Sequence, residues 1–150
     1  VVSRLASVKS RQDVNAALEI YHPDATLLCP PWQSQAQGRA QVEKSLLSFF
    51  KLVPDYVVEL AGHGMTGDTL CSWGNIHMTL SATLRGDTPN GRKVSTPVFI
   101  LFRFRDEKVI WESLHFDLAD VARQSGVSVE AFARPSGALD MHQAVAEVNL

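Results

Sequence analysis

The hydrophobic pattern of the chain changes once, at Pro54. Before it, Val42, Leu46, Phe49 and Val53 recur at spacings of four, three and four residues, the stripe of one helical face. This predicts a helix from Arg39 to Val53, stopped by Pro54. Further upstream, Asp13 stands before VNAALEIY as an N-cap, and Pro23 disfavours helix at His22, so a short helix ends near Tyr21. A brief strand, ATLLC, then leads into the loop PPWQSQAQG.

After Pro54 the pattern is that of strands. A run from Tyr56 to His63 meets a Gly67–Asp68 turn, and a long run from Thr69 to Leu84 meets the turn Asp87–Gly91. The β-branched and aromatic run Lys93 to Arg105, a polar turn at Asp106, Glu107 and Lys108, and the strand VIWESLHF follow. Asn-Gly and Gly-Asp between apolar runs are hairpin signals, so these strands are expected to form an antiparallel meander. Helices followed by consecutive hairpins read as α+β. LADVARQSG is a short helix closed by Gly126, and Ser128 caps a further turn ahead of Pro135. In the tail, Met141, Val145 and Val148 have helical spacing, predicting an amphipathic helix that packs on its own domain or on a second copy.

Composition narrows the function classes. With 150 residues, 45% hydrophobic and 20% charged, the chain suits one globular domain over 1–150, with a core at about 13–126 and a helical tail at 127–150. The formal charge of −2 and the lack of a basic stretch argue against nucleic acid as a partner. No apolar run is long enough to span a bilayer, and VVSRLASVKS lacks the apolar core of a secretory signal. The chain starts without Met, which leaves room for a trimmed leader. Cys29 and Cys71 lie in separate apolar segments without metal or redox spacing, and read as buried thiols of a cytoplasmic protein. The histidines form no metal motif, and there is no phosphate loop or nucleophile elbow, so neither metal nor cofactor is expected.

Four segments in order resemble the SnoaL-like polyketide cyclase and nuclear-transport-factor-2 superfamily: YHPDATL, GRAQVEKSLLSFF with Pro54–Asp55, GDTPNGRKV, and KVIWESLHFDLADVARQSG. The resemblance implies a six-stranded, strongly bent, antiparallel-rich sheet closed by helices into a cone, dimerising through its outer face. It also implies that Asp117, at the end of the last strand, is the acid/base that moves a proton beside a carbonyl. The chain departs from the family at SATLRG, where Ser81 and Thr83 stand in place of the Arg-x-Asp pair of the limonene-epoxide-hydrolase branch. MTLSATL also lacks the Gly-Thr-His of many cyclases.

Strand alternation puts Trp111, Ser113, His115 and Asp117 on one face, with Ile110, Leu114 and Phe116 on the other. A carboxylate among aromatic groups gains base strength as burial raises its pKa. Asp117 also stands directly before a helix, where Asp serves as an N-cap, and both roles are open to it. His115 shares its face and is the second catalytic candidate. Tyr21, Trp32, Phe49, Trp73, His77, Arg103 and Trp111 are the candidate substrate contacts, with Arg103 as an oxyanion partner. The expected activity is isomerisation or aldol-type ring closure of a small apolar carbonyl compound by a cofactor-free homodimer. The alternatives are a non-catalytic module for a hydrophobic ligand or protein partner, and a dehydratase.

Overall fold

In the computed structural model, residues 1–133 are described; the expected tail helix lies outside them. Two helices open the chain, α1 (Val2–Ser10) and α2 (Val14–Ile20), and lead into β1 (Tyr21–Cys29). A 3-10 turn, Pro30–Trp32, and the short β2 (Ser34–Gln37) precede α3 (Arg39–Leu52). The strands β3 (Val57–Thr66), β4 (Thr69–Met78), β5 (Val94–Arg105) and β6 (Lys108–Phe116) follow, then α4 (Leu118–Ser125) and a 3-10 turn at Val129–Phe132.

The six strands form one sheet in the order β2-β1-β6-β5-β4-β3. The meander β3 to β6 is antiparallel throughout, although Asn90–Gly91 lies inside the long link from Met78 to Val94 and not at a tight hairpin turn. The join of β1 to β6 is parallel, with Leu27 opposite Glu112 and Leu28 opposite Ser113. This pairing turns an α+β meander into a mixed curled sheet. The long run expected from Thr69 to Leu84 ends as a strand at Met78. There Asp55 accepts hydrogen bonds from the Thr79 N–H at 2.6 Å and the Thr79 hydroxyl at 2.7 Å. Burial alone would raise the Asp55 pKa, but the bonds from Thr79 and the nearby Lys93 hold it below the usual value. The chain beyond Met78 is thus pinned to the end of α3 rather than continuing in the ladder.

Helix ends follow local chemistry. Asp13 accepts from the Ala16 N–H at the start of α2, and Gly126 closes α4 in the left-handed region at φ 70°. On α3, Val42, Leu46 and Phe50 are buried, and together with Leu5 and Val8 of α1 they join the main core. On the sheet, register places Val98, Ile100 and Phe102 of β5 on the same face as Phe116, Leu114 and Glu112 of β6. That face meets the core; Trp73 and Phe99, paired across β4 and β5 on the other face, are exposed. Among the described residues no helix is long and apolar enough to cross a membrane.

Curvature depends on a close backbone approach. The β3–β4 ladder shifts register between Leu60 and Gly62, and Gly74 lies opposite Leu60. A Cβ at Gly74 would sit 1.9 Å from the carbonyl oxygen of Glu59, closer than any side chain can come. Gly74→Ala is therefore expected to cost more than about 3 kcal/mol or to prevent folding, as read from the denaturant midpoint. A near wild-type midpoint would show that this approach does not set the bend.

Candidate active site

The inner face of the sheet, α3 and the loop after β4 enclose an open cavity of about 820 Å³. Trp32 is one wall: its ring lies 5.2 Å from Phe49 and 5.3 Å from Phe116, centroid to centroid, with Phe132 stacked behind at 6.3 Å. Pro30 and Pro31 fix the 3-10 turn that presents this indole, and Gln33 completes it in the left-handed region at φ 51°. Leu27, Leu28 and Leu114 extend the apolar lining. Tyr21, Trp32 and Phe49, proposed from sequence, thus lie on the inner side.

Glu112 lies at the floor of this cavity. It is 1% exposed on a strand whose inward neighbours are apolar. One carboxylate oxygen accepts from Lys9 Nζ of α1 at 2.6 Å, and the other from the Tyr21 hydroxyl at the head of β1 at 2.5 Å. The Lys9 ammonium also lies over the Tyr21 ring, 5.5 Å from its centroid. Tyr56 completes the floor beside Lys9 and Glu112. Burial raises the pKa of both phenols, and the Glu112 charge adds to it, so each stays a neutral O–H donor. Three segments far apart in sequence thus converge on one carboxylate.

Sequence reasoning passed over Glu112, although the signal was present. Strand parity that puts Leu114 and Phe116 on the inner face also puts Glu112 there, making it the one charged group in VIWESLHF. A charge at an inward position of an apolar strand needs partners, and such positions are candidates for function.

The remaining sequence-derived candidates lie elsewhere. Asp117 is exposed and caps α4, its carboxylate accepting from the Asp120 N–H at 3.1 Å. It does not line the cavity. His115 is on the outer face with Ser113, whose hydroxyl is 2.7 Å from His115 Nε2, and burial lowers its pKa. His77 bridges Ser95 at 2.7 Å and Glu59 at 3.1 Å, also on the outer face. Arg103 stacks over Trp111 at 5.3 Å and donates to Thr69 Oγ1 at 3.3 Å. The Trp73 ring covers Gly62 at the bulge, where a Cβ would lie 2.6 Å from its Cζ2. The sheet therefore separates the candidates into an inner group around Glu112 and an outer group around Trp111. Among the described residues no cluster of three His, Cys, Asp or Glu is placed to hold a metal.

Tyr21 and Tyr56 are the two tyrosines of the chain. Free phenols ionise near about pH 10, and both folded pKa values lie above their usual value. Their stabilisation is therefore complete below that pH and is lost as pH rises toward the folded values. In an alkaline ultraviolet titration, tyrosinate absorbance is expected to be absent until above about pH 11 and then to appear together with unfolding. A phenol titrating near pH 10 in folded protein, as judged by circular dichroism, would contradict the buried cluster.

A hypothetical protein with a ketosteroid isomerase-like fold from Catenulispora acidiphila, solved with trimethylamine, superposes at a TM-score of 0.75 with 17% identity, over 86% of this chain and 94% of that one. A proposed SnoaL-like polyketide cyclase from Jannaschia sp. CCS1 gives 0.72 and 19%, over 85% and 90%. An NTF2-like protein of unknown function from Burkholderia pseudomallei gives 0.69 and 17%, over 83% and 93%. At these identities the likeness is one of fold. Among curated proteins none matches this sequence. The SnoaL-like domain family matches residues 2–112, most of the chain and the whole of the Lys9–Tyr21–Glu112 group, so the chain belongs to the SnoaL-like family.

Proposed function

We propose that this protein is a cofactor-independent enzyme of the isomerase or cyclase kind, acting on an apolar carbonyl compound held in the cavity, with Glu112 as its acid/base. The observation that carries this reading is a carboxylate 1% exposed at the floor of an aromatic-walled cavity, beside two neutral phenols and an ammonium. Family resemblance gives the proton-transfer role to Asp117. The exposed capping position of Asp117 fits that role less well than the position of Glu112 does.

The chemistry balances without a cofactor. Glu112 takes a proton from carbon next to the carbonyl, and the C–H electron pair moves into an enolate. The Tyr56 hydroxyl or the Lys9 ammonium donates a hydrogen bond to the enolate oxygen, as preorganised donors do for a developing oxyanion. Where a double bond is conjugated with the enolate, the resulting dienolate takes the proton back from Glu112 at its γ-carbon, shifting the double bond; otherwise the enolate carbon attacks a second carbonyl within the same molecule. In the second case the new alkoxide takes the proton. Walls of Trp32, Phe49 and Leu114 exclude water and favour a flat substrate. The exposed Trp73–Phe99 pair on the outer face suits a second copy of the chain.

One observation favours a second reading, a non-catalytic module for a hydrophobic ligand: both oxygens of Glu112 already accept a hydrogen bond within the protein. Hydrogen–deuterium exchange at the benzylic methylene next to the carbonyl of 2-tetralone, followed by proton NMR, separates the two. Glu112→Gln is expected to abolish protein-catalysed exchange. Glu112→Asp keeps the charge but draws the base back by about 1.5 Å, and is expected to lose about a hundredfold with the fold retained. Exchange in wild type no faster than in buffer, with the compound bound, would favour the binding module, and full exchange in folded forms of both variants would remove Glu112 as the base. Loss in Asp117→Asn instead would return the role to Asp117.

A further inference from the structure

We propose that the ligand is an amphipathic carboxylic acid, oriented with its carbonyl end toward Glu112 and its carboxylate at the rim on Lys44 and Lys51. This rests on the reading that the cavity binds a small molecule, and it names the chemical class of that molecule.

The case comes from how α3 divides its surface. Val42, Leu46 and Phe50 point into the core. Lys44, Ser48 and Lys51, on the exposed face opposite that buried stripe, border the open mouth of the cavity. Spacings of four and three residues place these three side chains in one row along the helix. Both lysines are exposed at the opening, and among the described residues neither forms an ion pair. The rim is also held in place. The Ser81 hydroxyl donates to the carbonyl of Lys51 at 2.8 Å and to that of Leu52 at 3.0 Å, tying the loop after β4 to the last turn of α3.

Charge therefore varies with depth. The acidic group lining the cavity is Glu112, at the floor and matched by Lys9; the rim carries Lys44 and Lys51 without a facing carboxylate among the described residues. An anionic group is drawn to the rim, where the lysines stand without a facing carboxylate, while Trp32, Phe49 and Leu114 offer apolar surface to the body of the ligand. A volume of about 820 Å³ admits a bicyclic to tetracyclic body. A neutral ligand of the same shape gains nothing from the lysines, and a cationic one is opposed by them.

Naphthoate and its neutral isostere naphthamide test this, with affinities measured by calorimetry on the full chain. At about 20 mM salt the acid is expected to bind roughly tenfold more tightly, and the preference to fade by about 0.5 M salt, because exposed charges are screened over a few ångströms there. The double variant Lys44→Gln/Lys51→Gln is expected to bind both compounds with the affinity of the amide alone. Equal affinities in wild type, or a preference that survives in the double variant, would overturn the proposal. Absence of saturable binding by either compound would overturn it together with the cavity reading. Glu112→Asp is expected to keep the acid preference while losing exchange, so failure of the catalytic reading and failure of this one give different results.

Discussion

A carboxylate removed from water must be surrounded by donors, and in this protein that requirement falls on Glu112. Isolated burial of such a charge costs many kcal/mol, and real proteins pair or neutralise it instead. Here the donors come from α1 through Lys9 and from the head of β1 through Tyr21, at 2.6 Å and 2.5 Å. Breaking a buried pair of this kind typically costs about 3–5 kcal/mol, whereas replacing all its members with apolar groups is often neutral or favourable. A fold that needed only stability would be served as well by Leu and Phe at these positions. The arrangement makes more physical sense as a charge kept ready at the bottom of a cavity.

The rest of the structure serves that placement. The parallel join of β1 to β6 sets Leu27 beside Glu112 and brings Tyr21 within reach of it. Gly74 lets β3 and β4 approach at the bulge, and the Asp55–Thr79 bonds stop β4 where the cavity opens. Helix α3 then closes one side, with its buried stripe in the core and its lysine row at the rim. The outer face is organised separately, by Arg103 on Trp111, His115 on Ser113 and the exposed Trp73–Phe99 pair.

Much of the fold was legible in the sequence because its signals are local. The meander follows from Gly67–Asp68 and the polar turn at Asp106–Glu107, where both residues take positive φ. The caps at Asp13 and Gly126 were readable for the same reason. Features that depend on distant partners were not. The short β2 carries the polar sequence SQAQ and exists because β1 pairs with it. Helix α1 has a weakly apolar sequence and is held by burial of Leu5 and Val8. At the site, alternation sorts β6 into its two faces, but the residues with recognisable acid/base chemistry, His115 and Asp117, stand on the outer face and at the strand end. Glu112 gains its meaning only when Lys9, more than a hundred residues away, is brought to 2.6 Å. That contact is set by tertiary structure, and no local motif announces it.

The proposed chemistry lies at Glu112, on the inner face of the sheet. The most direct measurement is a crystal structure with a bound naphthol, whose hydroxyl mimics an enol. The ring is expected between Trp32 and Leu114, with its oxygen within about 3 Å of the Glu112 carboxylate, the Tyr56 hydroxyl or Lys9 Nζ. Density for the naphthol only on the outer face, near Trp111 and His115, with the cavity floor unchanged, would contradict it.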